Sequence, residues 1–159
     1  MLIFRPRRFL ACALIAAVPC WPLASAFAVQ TPDSEYEAIA EEFIKGYFAA
    51  RPLQGTAIGL HEYDGKITDY SRLALDAELS RLKRFEDRLQ HFELNKLSQR
   101  QSIDLRILQA AIRNEIFQRE AMAIYERNPV VYARAADVNV YIKRNFAPLE
   151  DRVHNIVAI

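Results

Sequence analysis

Between Ser71 and Phe92 the apolar positions Leu75, Leu79, Leu82, Phe85, Leu89 and Phe92 recur every three or four residues, the spacing of one face of an α-helix. Lys83, Arg84, Asp87 and Arg88 fall on the opposite face, and Ser71 can cap the first turn. A weaker stripe, Ile39, Phe43, Ile44, Tyr47 and Phe48, predicts an earlier helix. Thr31 is its N-cap, Pro32 takes the first helical position, and Asp33 and Glu35 suit the positive end of the helix dipole. Pro52 ends it, and Leu53 to Leu60 has room for one short helical turn.

Ser98-Gln99-Arg100-Gln101 fits a capping box and opens a third helix through Leu105, Leu108, Ile112 and Ile116, running to about Tyr125. Asn128-Pro129 stops it and starts the next, since Asn caps and Pro suits a first turn. Val130 to Arg144 reads as helical but is rich in β-branched residues, which fit a helix less well. Phe146-Ala147-Pro148-Leu149-Glu150 opens a last helix through Val153 and Ile156. No segment alternates long enough to make a strand. The expected fold is all-α, an antiparallel helical array or bundle with short connections. Residues 156–159 are apolar and uncapped, so the expectation is a chain that breaks off inside an element of a larger helical fold; an apolar terminus docked into the core is the alternative.

The N-terminus changes the picture. Arg5, Arg7 and Arg8 precede an apolar run from Phe9 to Leu23, and Ala24-Ser25-Ala26 and Ala26-Phe27-Ala28 offer small-residue cleavage sites. That is the layout of an export signal, residues 1–26, cleaved after Ala26 or Ala28. Pro19 and Pro22 argue against an uncleaved membrane anchor. The expected product is exported, periplasmic or secreted, with no membrane association after cleavage, and its helical region spans residues 31–159. Cys12 and Cys20 leave with the signal, and with them all disulfide or thiol chemistry. Of 21 basic residues the signal removes three arginines, leaving 18 against 20 acidic. Such a balance gives no footprint for nucleic acid.

The most suggestive chemistry lies in Gly59-Leu60-His61-Glu62-Tyr63-Asp64-Gly65. His-Glu opens the zinc-peptidase motif His-Glu-x-x-His, in which two histidines one turn apart bind the metal and the Glu is general base. Here Tyr63, Asp64 and Gly65 follow, and the second histidine is missing. His61, Glu62 and Asp64 are therefore taken as candidate cleft residues, with loop stabilisation as the plainer role. His91 and His154 stand alone in sequence, and Ser71 and Ser98 are caps rather than nucleophiles. Four glycines form no phosphate-cradling loop. Tyr132, Tyr141, Phe146 and Arg144 read as core packing with a snorkelling arginine. No catalytic residue and no metal ligand is assigned.

Several short motifs in order resemble the start of the bacterial domain-of-unknown-function 885 family. They are an acidic amphipathic helix, Arg51-Pro52, the segment from Thr56 to Gly65, Asp104-Leu105-Arg106, Glu126-Arg127-Asn128-Pro129 and the run from Phe146 to Arg152. The resemblance implies a longer, mostly helical, exported protein related to zinc-dependent peptidases, with zinc bound at a His-Glu-x-x-Pro-Gly-His stretch in its C-terminal half. No such stretch occurs in this sequence. The implied role is thus an N-terminal helical scaffold of a metallopeptidase-like hydrolase, meeting a peptide substrate in full-length form, with no cofactor held by this chain. The alternatives are a self-standing periplasmic helical binding protein and a non-functional remnant of a shortened gene.

Overall fold

Helix α1 (Pro32–Ala50) begins where Thr31 caps it, its hydroxyl oxygen accepting the Ser34 N–H at 3.2 Å. The computed structural model describes residues 31–135 and 137–159, so the export segment expected at residues 1–26 lies outside the described residues. Two further long helices follow the predicted caps. Ser71 accepts the Ala74 N–H at the start of α3 (Arg72–Gln90), and Ser98 accepts that of Gln101 at the start of α4 (Gln99–Glu120). Between α1 and α3, helix α2 (Pro52–Ala57) uses Pro52 as its first residue. A 3-10 turn, His61–Tyr63, comes next. Among the described residues there is no strand, and the fold is all-α.

Side-chain pairs give the helix directions. Glu42 meets Arg88 and Arg51 meets Glu78, so α3 runs antiparallel to α1. Lys83 meets Glu120 and Glu86 meets Arg113, so α4 runs antiparallel to α3. Glu37 bonds Gln101 while Arg51 bonds Glu115, so α4 is parallel to α1. The three helices enclose Leu82, Leu89, Leu105 and Ile112, all at 0% exposure, with Ile39, Phe43 and Phe85 around them. Phe43 and Phe85 meet edge to face at 5.3 Å, a geometry that aromatic quadrupoles favour.

The rest of the chain is short helices: α5 (Ile124–Arg127), α6 (Val130–Ala133), α7 (Asn139–Lys143) and α8 (Leu149–Val157). Two sequence expectations need correction here. The third long helix ends at Glu120, not near Tyr125, because Ala123 adopts a left-handed conformation at φ 48° that no helix accommodates. Val130 to Arg144 is not one helix but two short ones, α6 and α7. The Asp137 carboxylate accepts the Asn139 N–H at 3.0 Å and starts α7 afresh, a local bond that competes with helix continuation.

Tyr141 and Arg152 organise this half. Arg152, buried, donates to the carbonyls of Ala147 and Tyr141 at 3.0 and 2.7 Å and to Asn145 Oδ1 at 3.1 Å. The Tyr141 hydroxyl accepts the Gly65 N–H at 2.9 Å and so ties α7 to the connection before α3. Gly59 and Gly65 both take positive φ there, 95° and 68°, which glycine adopts without a Cβ clash. The predicted aromatic cluster is divided: Tyr141 is buried beside Phe146, whereas Tyr132 packs on Tyr70 and Arg144 reaches the Ala57 carbonyl. No described helix is long and apolar enough to cross a membrane.

Candidate functional site

His61 and Asp64 come together in the connection after α2. The His61 Nδ1 lies 3.0 Å from Asp64 Oδ2, and its ring stacks on Phe146 with centroids 4.4 Å apart. A carboxylate on Nδ1 fixes a neutral imidazole in the tautomer that leaves Nε2 as acceptor. The second Asp64 oxygen is buried without a hydrogen-bond partner. Glu62 does not join the pair; it is exposed and offers its backbone carbonyl to Lys66 Nζ at 2.8 Å. Its position follows from the 3-10 turn, where successive side chains diverge by about a third of a turn. His91 bonds the Asp87 carbonyl at the end of α3, and His154 is exposed on α8.

A larger feature is separate from this pair. An open cleft of about 910 Å³ is bounded by α2, the C-terminal part of α4, and α5 to α7. Tyr70, Tyr125 and Asn128 line it, with Leu53, Ile124 and Val140 as apolar wall. None of His61, Glu62 and Asp64 lines this cleft.

Beside it stands a chain of buried charges. Arg51, which lines the cleft, donates to Glu78 at 3.0 Å and to Glu115; Glu78 in turn holds Arg81 through both its carboxylate oxygens, at 2.6 and 3.0 Å. Burial alone would lower the Arg51 pKa, but Glu115 and Glu78 outweigh it and hold the guanidinium above its ordinary value. Burial would likewise raise Glu78, yet the bonds and charges of Arg81 and Arg51 keep it below the usual carboxylate range. Arg119 lies over the Tyr125 ring at 4.8 Å with its Nε and Nη1 buried and without hydrogen-bond partners. Burial raises the Tyr125 phenol against the opposing pull of Arg119 and Arg51.

Sequence reading missed this network, although one signal was present. Glu78 falls three residues after Leu75 and four before Leu82, on the apolar face of α3. A carboxylate in that register is buried unless the helix turns away, and a buried carboxylate needs cations. Among the described residues, no group of three His, Cys, Asp or Glu side chains converges to hold a metal ion.

A model of the family described as bacterial protein of unknown function (DUF885) matches residues 52–159. The match begins at the first residue of α2 and leaves out α1, which the sequence resemblance included. No curated protein matches the chain, and no solved structure does. With more than half of its length matched, the chain belongs to the DUF885 family.

Proposed function

We propose that this chain is an exported helical scaffold of a metallopeptidase-like hydrolase and that its cleft forms one wall of a peptide-binding groove. The observation that carries the reading is the cleft itself. Its volume, about 910 Å³, suits a few residues of extended peptide better than a single ion. The amides of Gln54, Gln118 and Asn128 offer both donors and acceptors to a peptide backbone, and Leu53, Ile124 and Val140 offer apolar contact. The lining lacks a histidine and a paired acid and base, so the described residues contribute binding and not bond cleavage. His61 and Asp64 are a second binding element in this reading, an oriented imidazole outside the cleft lining.

Two measurements test it. Titrating purified chain with N-acetylated tripeptides while following backbone amide resonances should shift Tyr70, Tyr125 and Asn128 without cleavage of the peptide, with or without added zinc. Peptide hydrolysis by the purified chain, or shifts confined to another surface, overturns the reading. For export, N-terminal sequencing of chain recovered from the periplasm should begin at Phe27 or Val29. A chain that keeps Met1 removes that part of the proposal.

A further inference from the structure

The cleft carries an unbalanced charge. Its cations are Arg51, Arg134, Lys143 and Arg144, against Glu115 and Asp137. Arg51 and Glu115 pair with each other. Arg144 donates to the Ala57 carbonyl, a neutral group, and so keeps its charge at the rim. Asp137 accepts the backbone and side-chain N–H groups of Asn139 at its Oδ1, at 3.0 and 2.6 Å. These are neutral partners, so it keeps its charge; the Asn139 bonds first, and then the facing Lys143 and Arg134, hold its pKa below the usual carboxylate value. Arg134 and Lys143 make no close ion pair among the described residues and are exposed at the α6 and α7 lip, where with Arg144 they set three cations against the single Asp137 carboxylate.

The wall behind adds to the same sign. Arg51, Arg81 and Arg119 face only Glu78 and Glu115 in the buried network, and two Arg119 nitrogens have no hydrogen-bond acceptor. A concave surface with low-dielectric walls concentrates such a field inside the cleft. Resting on the peptide-groove reading above, we infer that the cleft selects peptides bearing a carboxylate, which Arg134 and Lys143 receive at the lip. Apolar and amide positions deeper in the cleft take the rest of the chain. The carboxylate can be a peptide's own C-terminus or an acidic side chain; the chemistry at the lip is the same.

The full chain distinguishes these cases in one set of amide-resonance titrations at low salt. The probes are N-acetyl-trialanine with a free carboxylate, the same peptide as its C-terminal amide, and an N-acetylated Ala-Glu-Ala amide. The free acid should bind about fivefold or more tightly than the amide, from two exposed charge contacts, and the margin should shrink as salt screens them. Arg134→Gln with Lys143→Gln should bring the acid down to the amide. Both side chains are exposed, so resonances away from the lip should not move. If the Ala-Glu-Ala amide equals the free acid, an acidic side chain serves as well as a terminus. If only the free acid gains, the terminus is what is read; both results support the inference. Equal binding of acid and amide in the cleft overturns it while leaving the groove intact. Absence of cleft shifts with every peptide removes the groove reading, and this inference with it.

Discussion

The α1, α3 and α4 bundle and the short-helix half are held by different forces. In the bundle, Leu82, Leu89, Leu105 and Ile112 are removed from water altogether, and burial of a large aliphatic side chain is worth about 1.5–3 kcal/mol each. In the other half, no residue of α5 to α8 joins that apolar cluster; Tyr141 and Arg152 hold it through directed hydrogen bonds. A hydrogen bond contributes only about 0.5–1.5 kcal/mol net, because water competes for both partners. The cleft is thus lined largely by the less firmly held half. Binding surfaces built this way can adjust to a ligand at low cost, whereas the bundle supplies the fixed frame.

The largest expected effect falls in the bundle. Leu105→Ala leaves a cavity at a fully enclosed position and should cost about 3–5 kcal/mol in urea unfolding. A cost below about 1 kcal/mol would mean that the site collapses freely and that apolar packing does not distinguish the two regions.

Glu78→Gln comes next and probes the boundary between them. The substitution leaves the Arg81 and Arg51 guanidinium groups, both mostly buried, without their shared carboxylate, an imbalance costing roughly 3 kcal/mol. The pH dependence has a definite sign. Because the folded Glu78 pKa lies below its ordinary value of 4.5, its contribution is present in full above that pH and is lost as pH falls through the folded pKa. Urea midpoints of the unsubstituted chain should therefore drop below about pH 4.5, and the Gln variant should lack this part of the drop. Parallel pH profiles for the two proteins would show that Arg51 and Arg81 do not stabilise the carboxylate.

The difference between the two regions also explains what could be read from sequence. The bundle was legible because each long helix carries its own periodic stripe and its own cap, at Thr31, Ser71 and Ser98. These are local signals. The division of Val130 to Arg144 depends on Asp137 bonding the Asn139 N–H, one local bond set against a plausible helical pattern. The Asp-x-Asn spacing hinted at it, but nothing in the stripe did. The cleft was illegible for another reason: Arg51, Tyr70, Glu115, Tyr125 and Lys143 are far apart in sequence and meet only through the fold. The sequence offered His61, Glu62 and Asp64 alike as cleft candidates; the pairing of His61 with Asp64 came only with the tight turn, three residues of which bring their side chains to one side. Glu62, adjacent in sequence, was separated from them by the same turn.

Tyr141→Phe gives the smallest effect and the sharpest comparison. It keeps the buried ring, at 1% exposure, and removes only the hydroxyl that accepts the Gly65 N–H. The loss leaves a part-buried backbone donor without its partner, which costs about 1–2 kcal/mol. Because Gly65 holds the connection at positive φ, the freed segment can relax locally while the bundle stays folded. Hydrogen exchange should consequently speed up at Lys66 and at the amides of α7, with α3 and α4 amides changed only by the small global loss. Uniform acceleration throughout the chain would contradict the division into two differently held regions, since it would mean that α7 and the bundle open as one cooperative unit.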